Sequence, residues 1–195
     1  MENATADMAY IRSYKAQALA TMDAIPEKQI ATLIELLTQV RREGRQIFVC
    51  GNGGSAASAS HLANDLGKGA SVGRDLRFRV LSLTDNIPWI TALANDASFA
   101  EIFVDQLRNF ARPGDLLLTF SGSGNSPNII RAVEWAEEEG LLTVGVTGKQ
   151  GGRLGQIARY PILVESTHMG HIEEAHFLIL HLVSYYFMEA EEWEG

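Results

Sequence analysis

Two stretches of this sequence combine small, flexible and polar residues in a way that suits an anion. The first, Gly51-Asn52-Gly53-Gly54-Ser55, follows the apolar run QIFVC; the second, Ser121-Gly122-Ser123-Gly124-Asn125-Ser126, follows DLLLTF. Glycine lets a backbone turn sharply and approach a ligand closely, while serine and asparagine present hydroxyls and amides. Pro127, directly after the second stretch, suits the first turn of a helix. A phosphate placed there would meet N–H groups, hydroxyls and the positive helix end together. Ser- and Asn-capped turns are the plainer account of either stretch alone, but two in one chain favour an anion site. Neither is a Walker A loop, because no Gly-Lys-Ser/Thr follows, and neither has the full dinucleotide-binding spacing. A helical run follows the first stretch, and on it His61 and Asp65 stand four residues apart, on one face.

Strands must deliver such loops. Short β-rich runs at 46–50, 78–83, 115–120, 141–146 and 160–164 alternate with helical runs at 55–66, 87–94, 98–111, 127–139 and 152–158. Alternation with continuously apolar strands predicts an α/β fold, a parallel sheet covered by helices on both faces. Ligands bind such sheets beyond the carboxyl ends of the strands, where both polar stretches fall. Ahead of the first strand, Ile30, Leu33, Ile34, Leu37 and Val40 recur at helical spacing up to Gly44, and a further helix is expected over 8–22. The last helix, about 170–192, should bury Ile172, Ala175, Ile179 and Val183. With no repeat or linker, the chain reads as a single domain, 1–195. It comprises an N-terminal helical segment (1–44), an α/β core (45–165) and a C-terminal helix (166–195).

Composition narrows the function. The 195 residues are 46% hydrophobic and 21% charged, as in a folded globular protein. A formal charge of −8 without a basic run argues against a general grip on nucleic acid. The single cysteine, Cys50, excludes an intrachain disulfide and a cysteine-rich zinc site, and is expected to pack as a small hydrophobe. The N-terminus lacks the apolar core of a signal peptide, and no apolar run approaches membrane-spanning length. A cytoplasmic location and no membrane partner are the corresponding expectations. Trp89, Phe99, Phe103 and Phe110 fall at helix-packing spacings and are expected in the core or an interface, and Glu137, Glu138 and Glu139 form a solvated helix end. His168, His171 and His176 carry no assigned role.

The stretch SGSGNSPNIIRAVEWAEEEG, with TVGVTGKQGG after it, resembles the sugar isomerase (SIS) domain. CGNGGSAASASHLA and IEEAHFLILH are similar, more narrowly, to the phosphoheptose isomerases, which convert sedoheptulose 7-phosphate to D-glycero-D-manno-heptose 7-phosphate. The resemblance implies a three-layer αβα sandwich with a five-stranded parallel sheet in flavodoxin-like order, plus N-terminal helices. It implies an aldose–ketose isomerase working through an enediol(ate). Asn52, Gly53 and Gly54 match the substrate-binding turn, with Ser55 a further phosphate-side hydroxyl. Asn95 and Asp96, in ALAND, match residues that contact the sugar, and Ser121, Gly122, Ser123 and Ser126 match the phosphate loop. His61 and His181 match two metal ligands, and His181 is also an acid–base group. The resemblance further implies a homotetramer whose active sites draw on adjoining subunits, bringing the last helix beside a neighbour's first-helix site.

Two positions depart from that pattern, with Asp65 where the family has Glu and Glu173 where it has Gln. Lys68 and Gly69 also replace an expected Arg region. The implied metal shell is His61, Asp65, Glu173 and His181, all able to bind zinc. Asp65, in the first-helix position, and His181 form the implied acid–base pair; Asp65 and Glu173 are also expected to face the substrate. Helix geometry permits this, since Glu173 and His181 lie within a quarter-turn; Glu174 shares the face of His181 equally well, so only the motif selects Glu173. A satisfied core histidine is the plainer account of His181 alone. Two alternatives stay open: a non-catalytic relative such as the replication-initiator-binding protein of the same branch, and an isomerase for another sugar phosphate.

Overall fold

The computed structural model describes residues 2–189, with side chains from residue 6 onward. Five strands, β1 (Gln46–Gly51), β2 (Arg79–Ser82), β3 (Leu116–Ser121), β4 (Leu142–Gly148) and β5 (Tyr160–Val164), pair in parallel in the order β2-β1-β3-β4-β5. This is the doubly wound, flavodoxin-like order, and its switch point falls between β1 and β3. In register, Ile47 faces Leu116 and Gly51 faces Phe120, so the two polar stretches leave the sheet side by side.

Side chains alternate across the sheet and divide the core in two. Ile47, Val49, Leu116 and Leu118 join Leu33, Leu37, Leu62 and Ile179, which come from α2 (Glu27–Arg42), α3 (Gly54–Asn64) and α8 (Met169–Glu189). Phe48, Cys50 and Leu117 face the other way. They meet Leu107, Ile129 and Val133 from α5 (Val104–Phe110) and α6 (Pro127–Glu138), and Leu154 from α7 (Leu154–Ile157). The first helix, α1 (Glu2–Asp23), lies along α8, while α4 (Ile87–Asp96) packs through Ile90 and Leu93 against the second half of the core. Burial pushes the Cys50 thiol pKa up, in keeping with a packing role. No described helix is long and apolar enough to cross a membrane.

The expected helix over 98–111 is divided into a 3₁₀ turn, Phe99–Glu101, and α5. Ile102, Phe103 and Val104 are all buried. Three consecutive residues span about 200° of a helix and cannot share one face, so the chain turns between them. Phe103 is core, whereas Phe99 is 55% and Phe110 49% exposed.

On α8, His176 is wholly buried against Phe120, the two ring centroids 5.5 Å apart, and neither imidazole nitrogen has a hydrogen-bond partner among the described residues. Burial lowers its pKa from 6.5 to about 4. A histidine depressed in the folded state takes up protons more readily when unfolded, so stability falls as pH drops from 6.5 towards 4. By pH 5 the loss should reach about 2 kcal/mol. Urea unfolding of His176→Phe at pH 7.5 and pH 5 should show that increment removed. Equal pH sensitivity in parent and variant would exclude His176 as its source.

Candidate active site

β1 ends in the turn Asn52–Gly53, and α3 begins at Gly54. Gly53 has φ +56°, a left-handed conformation that favours glycine. A side chain at Gly54 would stand 2.5 Å from a carboxylate oxygen of Glu173, so the turn has room for that carboxylate only because Gly54 has none. Ser55, nearly buried, closes the turn by donating its N–H to the Asn52 carbonyl at 3.0 Å.

The second loop is held from two sides. Asn52 and the fully buried Asn128 exchange amide hydrogen bonds of 2.9 and 2.8 Å, which join the two turns across the switch point. From the β4 side, Gly148 N–H donates to the Gly122 carbonyl at 3.1 Å, and Leu154 N–H to the Gly124 carbonyl at 2.8 Å. Ser126 caps α6 without a side-chain cap bond, and its hydroxyl lies 3.5 Å from that of Ser121. Ser123 is exposed and accepts from Asn125 N–H at 3.2 Å. The loop therefore presents hydroxyls at a helix N-terminus, the arrangement that receives a phosphate.

α3 then carries the remaining groups. Beyond Asn64 it widens into a π-helical turn, Asp65–Gly69, a feature frequent at functional sites. His61 Nε2 stands 3.3 Å from Asp65 Oδ2, and His181 Nε2 lies 3.1 Å from His61 Nε2. These three groups all lie within 4.8 Å of one another and could hold a metal ion. Phe177 packs against both imidazoles, its ring centroid 5.6 Å from His61 and 6.3 Å from His181. His181 thus meets His61 within one chain.

Glu173, expected as a fourth ligand, is outside that cluster. Eight residues separate it from His181, roughly 12 Å along the axis of α8, and its carboxylate rests against Gly54 instead. Glu173 still lines the cavity that His181 lines, with Tyr14, Glu174 and Phe177. Glu174 turns to α1, where it accepts the Tyr14 hydroxyl proton at 2.9 Å; that bond, then burial, raises the tyrosine pKa. Asn95 and Asp96 are exposed at the end of α4. They hydrogen-bond to each other at 2.7 Å and, among the described residues, to no other site residue.

Asn128, Phe177 and Tyr14 were not foreseen from the sequence. Phe177 carried a signal, standing four residues before His181 on the same helix face. Asn128 and Tyr14 carried none, because their partners are 76 and 160 residues away.

Residues 10–148 match the family described as the SIS domain. The phosphoheptose isomerase of Akkermansia muciniphila is 38% identical over 167 residues, which cover 86% of both chains. That of Crocosphaera subtropica is 38% identical over 154 residues, 77% of this chain and 76% of the other. Among solved structures, a phosphoheptose isomerase from Francisella tularensis superposes with a TM-score of 0.86 at 30% identity, covering 94% of this chain and 98% of that one.

Proposed function

Because the chain belongs to the SIS domain family, in its phosphoheptose isomerase branch, we propose that it is an aldose–ketose isomerase acting on sedoheptulose 7-phosphate. The observation that carries this is the meeting of His61, Asp65 and His181 on the helices that border the two anion-type loops. The loops Asn52–Ser55 and Ser121–Ser126 hold the phosphate through hydroxyls, N–H groups and the positive end of α6. That anchor fixes the distance to the reacting carbons.

Asp65 takes the proton from C1 of the ketose and returns it to C2 of the enediolate. His181 moves the hydroxyl protons between O2 and O1. Oδ2 of Asp65 is turned to His61, and Oδ1, which accepts from Asn64 Nδ2 at 3.2 Å, is the oxygen left to carry a proton. Zinc fits the cluster. Two imidazoles and a carboxylate are a donor set that suits zinc, and the His61–His181 and His61–Asp65 ligand atoms stand 3.1 and 3.3 Å apart, all three within 4.8 Å of one another. His61, Asp65 and His181 would hold it, and when bound it supplies Lewis-acid polarisation of the carbonyl.

Exposed apolar side chains on α1 (Tyr10, Ile11, Leu19) and α8 (Leu182, Tyr185, Tyr186) support assembly into a homotetramer. In that assembly Asn95 and Asp96, unattached to their own site, reach the sugar in a neighbour's.

The test is to incubate the enzyme with sedoheptulose 7-phosphate in heavy water. The aldose should appear, with deuterium entering at the exchanging carbon. Neither product nor exchange would refute the reading. Ser123→Leu should raise KM about tenfold or more while kcat changes little, because the phosphate anchor is remote from the proton transfer. An unchanged KM in a folded variant would remove the loop from the phosphate site.

A further inference from the structure

From the opposite pole of the sheet we infer a second ligand site, for a nucleoside di- or triphosphate, independent of the isomerase reading. A cavity of about 590 Å³ opens there among the starts of β1 and β2 and the ends of α2 and α5. That is the size of a small-molecule site.

Guanidinium groups from three separate segments line it: Arg45 ahead of β1, Arg79 opening β2, and Arg112 after α5. Two are braced by backbone carbonyls, Arg45 Nη1 donating to Pro113 and Arg79 Nη1 to Gly44, each at 3.0 Å. The Arg112 side chain makes no hydrogen bond or ion pair among the described residues.

The carboxylates in the lining, Glu43 and Asp115, cancel this charge only in part. Asp115 is buried, and both its oxygens are engaged by backbone N–H groups, from Gln46 at 2.9 Å and Arg112 at 2.8 Å. Glu43 pairs with Arg45 at 3.4 Å, both side chains nearly half exposed, an arrangement that a multiply charged anion can displace. Three guanidiniums against two carboxylates leave one positive charge, in a chain of formal charge −8.

The other wall is apolar. Leu81 is 39% and Phe110 49% exposed, Phe48, which also lines the cavity, is the β1 neighbour of Leu81, and the Phe110 ring is braced edge-on by Trp89 at 5.8 Å. Guanidinium forks recognise phosphate oxygens, and an exposed aromatic beside aliphatic surface suits a flat base. A ligand that joins both in one molecule uses the whole cavity.

Calorimetric titration with ADP tests this, with adenosine and pyrophosphate as the separate halves. ADP should bind saturably and more tightly than either half. Arg112→Glu should weaken it about tenfold or more without disturbing the fold, since that side chain holds nothing in place. Arg79→Ala should weaken it as well, and saturating sedoheptulose 7-phosphate should leave ADP affinity unchanged. Absence of ADP binding at millimolar concentration, equal affinity in both variants, or displacement by the sugar phosphate would each overturn the site. The last result would place ADP in the serine loop instead.

Discussion

Asp65→Asn should lower the isomerisation rate by about 10²–10⁴-fold, the usual contribution of a positioned acid–base group, while the sugar phosphate still binds. The substitution keeps the shape and one acceptor oxygen but removes the charge that a proton-transfer group needs. Binding should survive because the phosphate loops are built from β1, β3 and the first turn of α6, not from the π-helical turn that carries Asp65. Aspartate is one methylene shorter than the family glutamate, and a displacement of about 1 Å can cost roughly a hundredfold in rate. Yet the cluster is closed, with Asp65 3.3 Å from His61 and His61 3.1 Å from His181. Steady-state kinetics alongside a direct binding titration would separate the two effects. Parental turnover by the Asn variant would exclude Asp65 as the base. Glu173 would then be next in line, since it lines the cavity and its carboxylate makes no hydrogen bond or ion pair among the described residues.

The sheet was legible because its strands are uninterrupted apolar runs set between helical periods. Leu116–Ser121 and Leu142–Gly148 differ from expectation by two residues or fewer at each end. The two loops were legible for the same reason, as polar residues at strand ends. Local pattern stopped being informative where contacts are long-range. Glu173 and Glu174 are neighbours on α8 and equally plausible by periodicity. Only the placement of Gly54 and Tyr14 separates them, one carboxylate resting on the first-loop glycine and the other on α1. The Asn52–Asn128 amide pair likewise depends on β1 and β3 being adjacent, which no local period encodes. Asn95 and Asp96 mark a different limit. Among the described residues their side chains hydrogen-bond only to each other, and a contact with the sugar is made to no residue of the chain, so no internal contact reports on that role.

The two histidines should separate when each is replaced by alanine and the protein is supplied with excess zinc. Both variants lose one imidazole from the cluster, so both should retain less metal after gel filtration. Their rates should then diverge. His181 faces the cavity that Glu173 and Glu174 line, whereas His61 stands between Asp65 and His181, 3.3 Å from one and 3.1 Å from the other, the position of a ligand. Excess zinc can compensate for a missing ligand but not for a missing proton carrier. His61→Ala should therefore recover to within about tenfold of the parent, while His181→Ala stays down by the 10²–10⁴-fold attributable to acid–base catalysis. Stopped assays with metal content measured on the same samples would decide. Equal recovery would make His181 a ligand alone and leave the hydroxyl protons to another group. A candidate on the cavity wall is then Tyr14, whose hydroxyl is already hydrogen-bonded to Glu174.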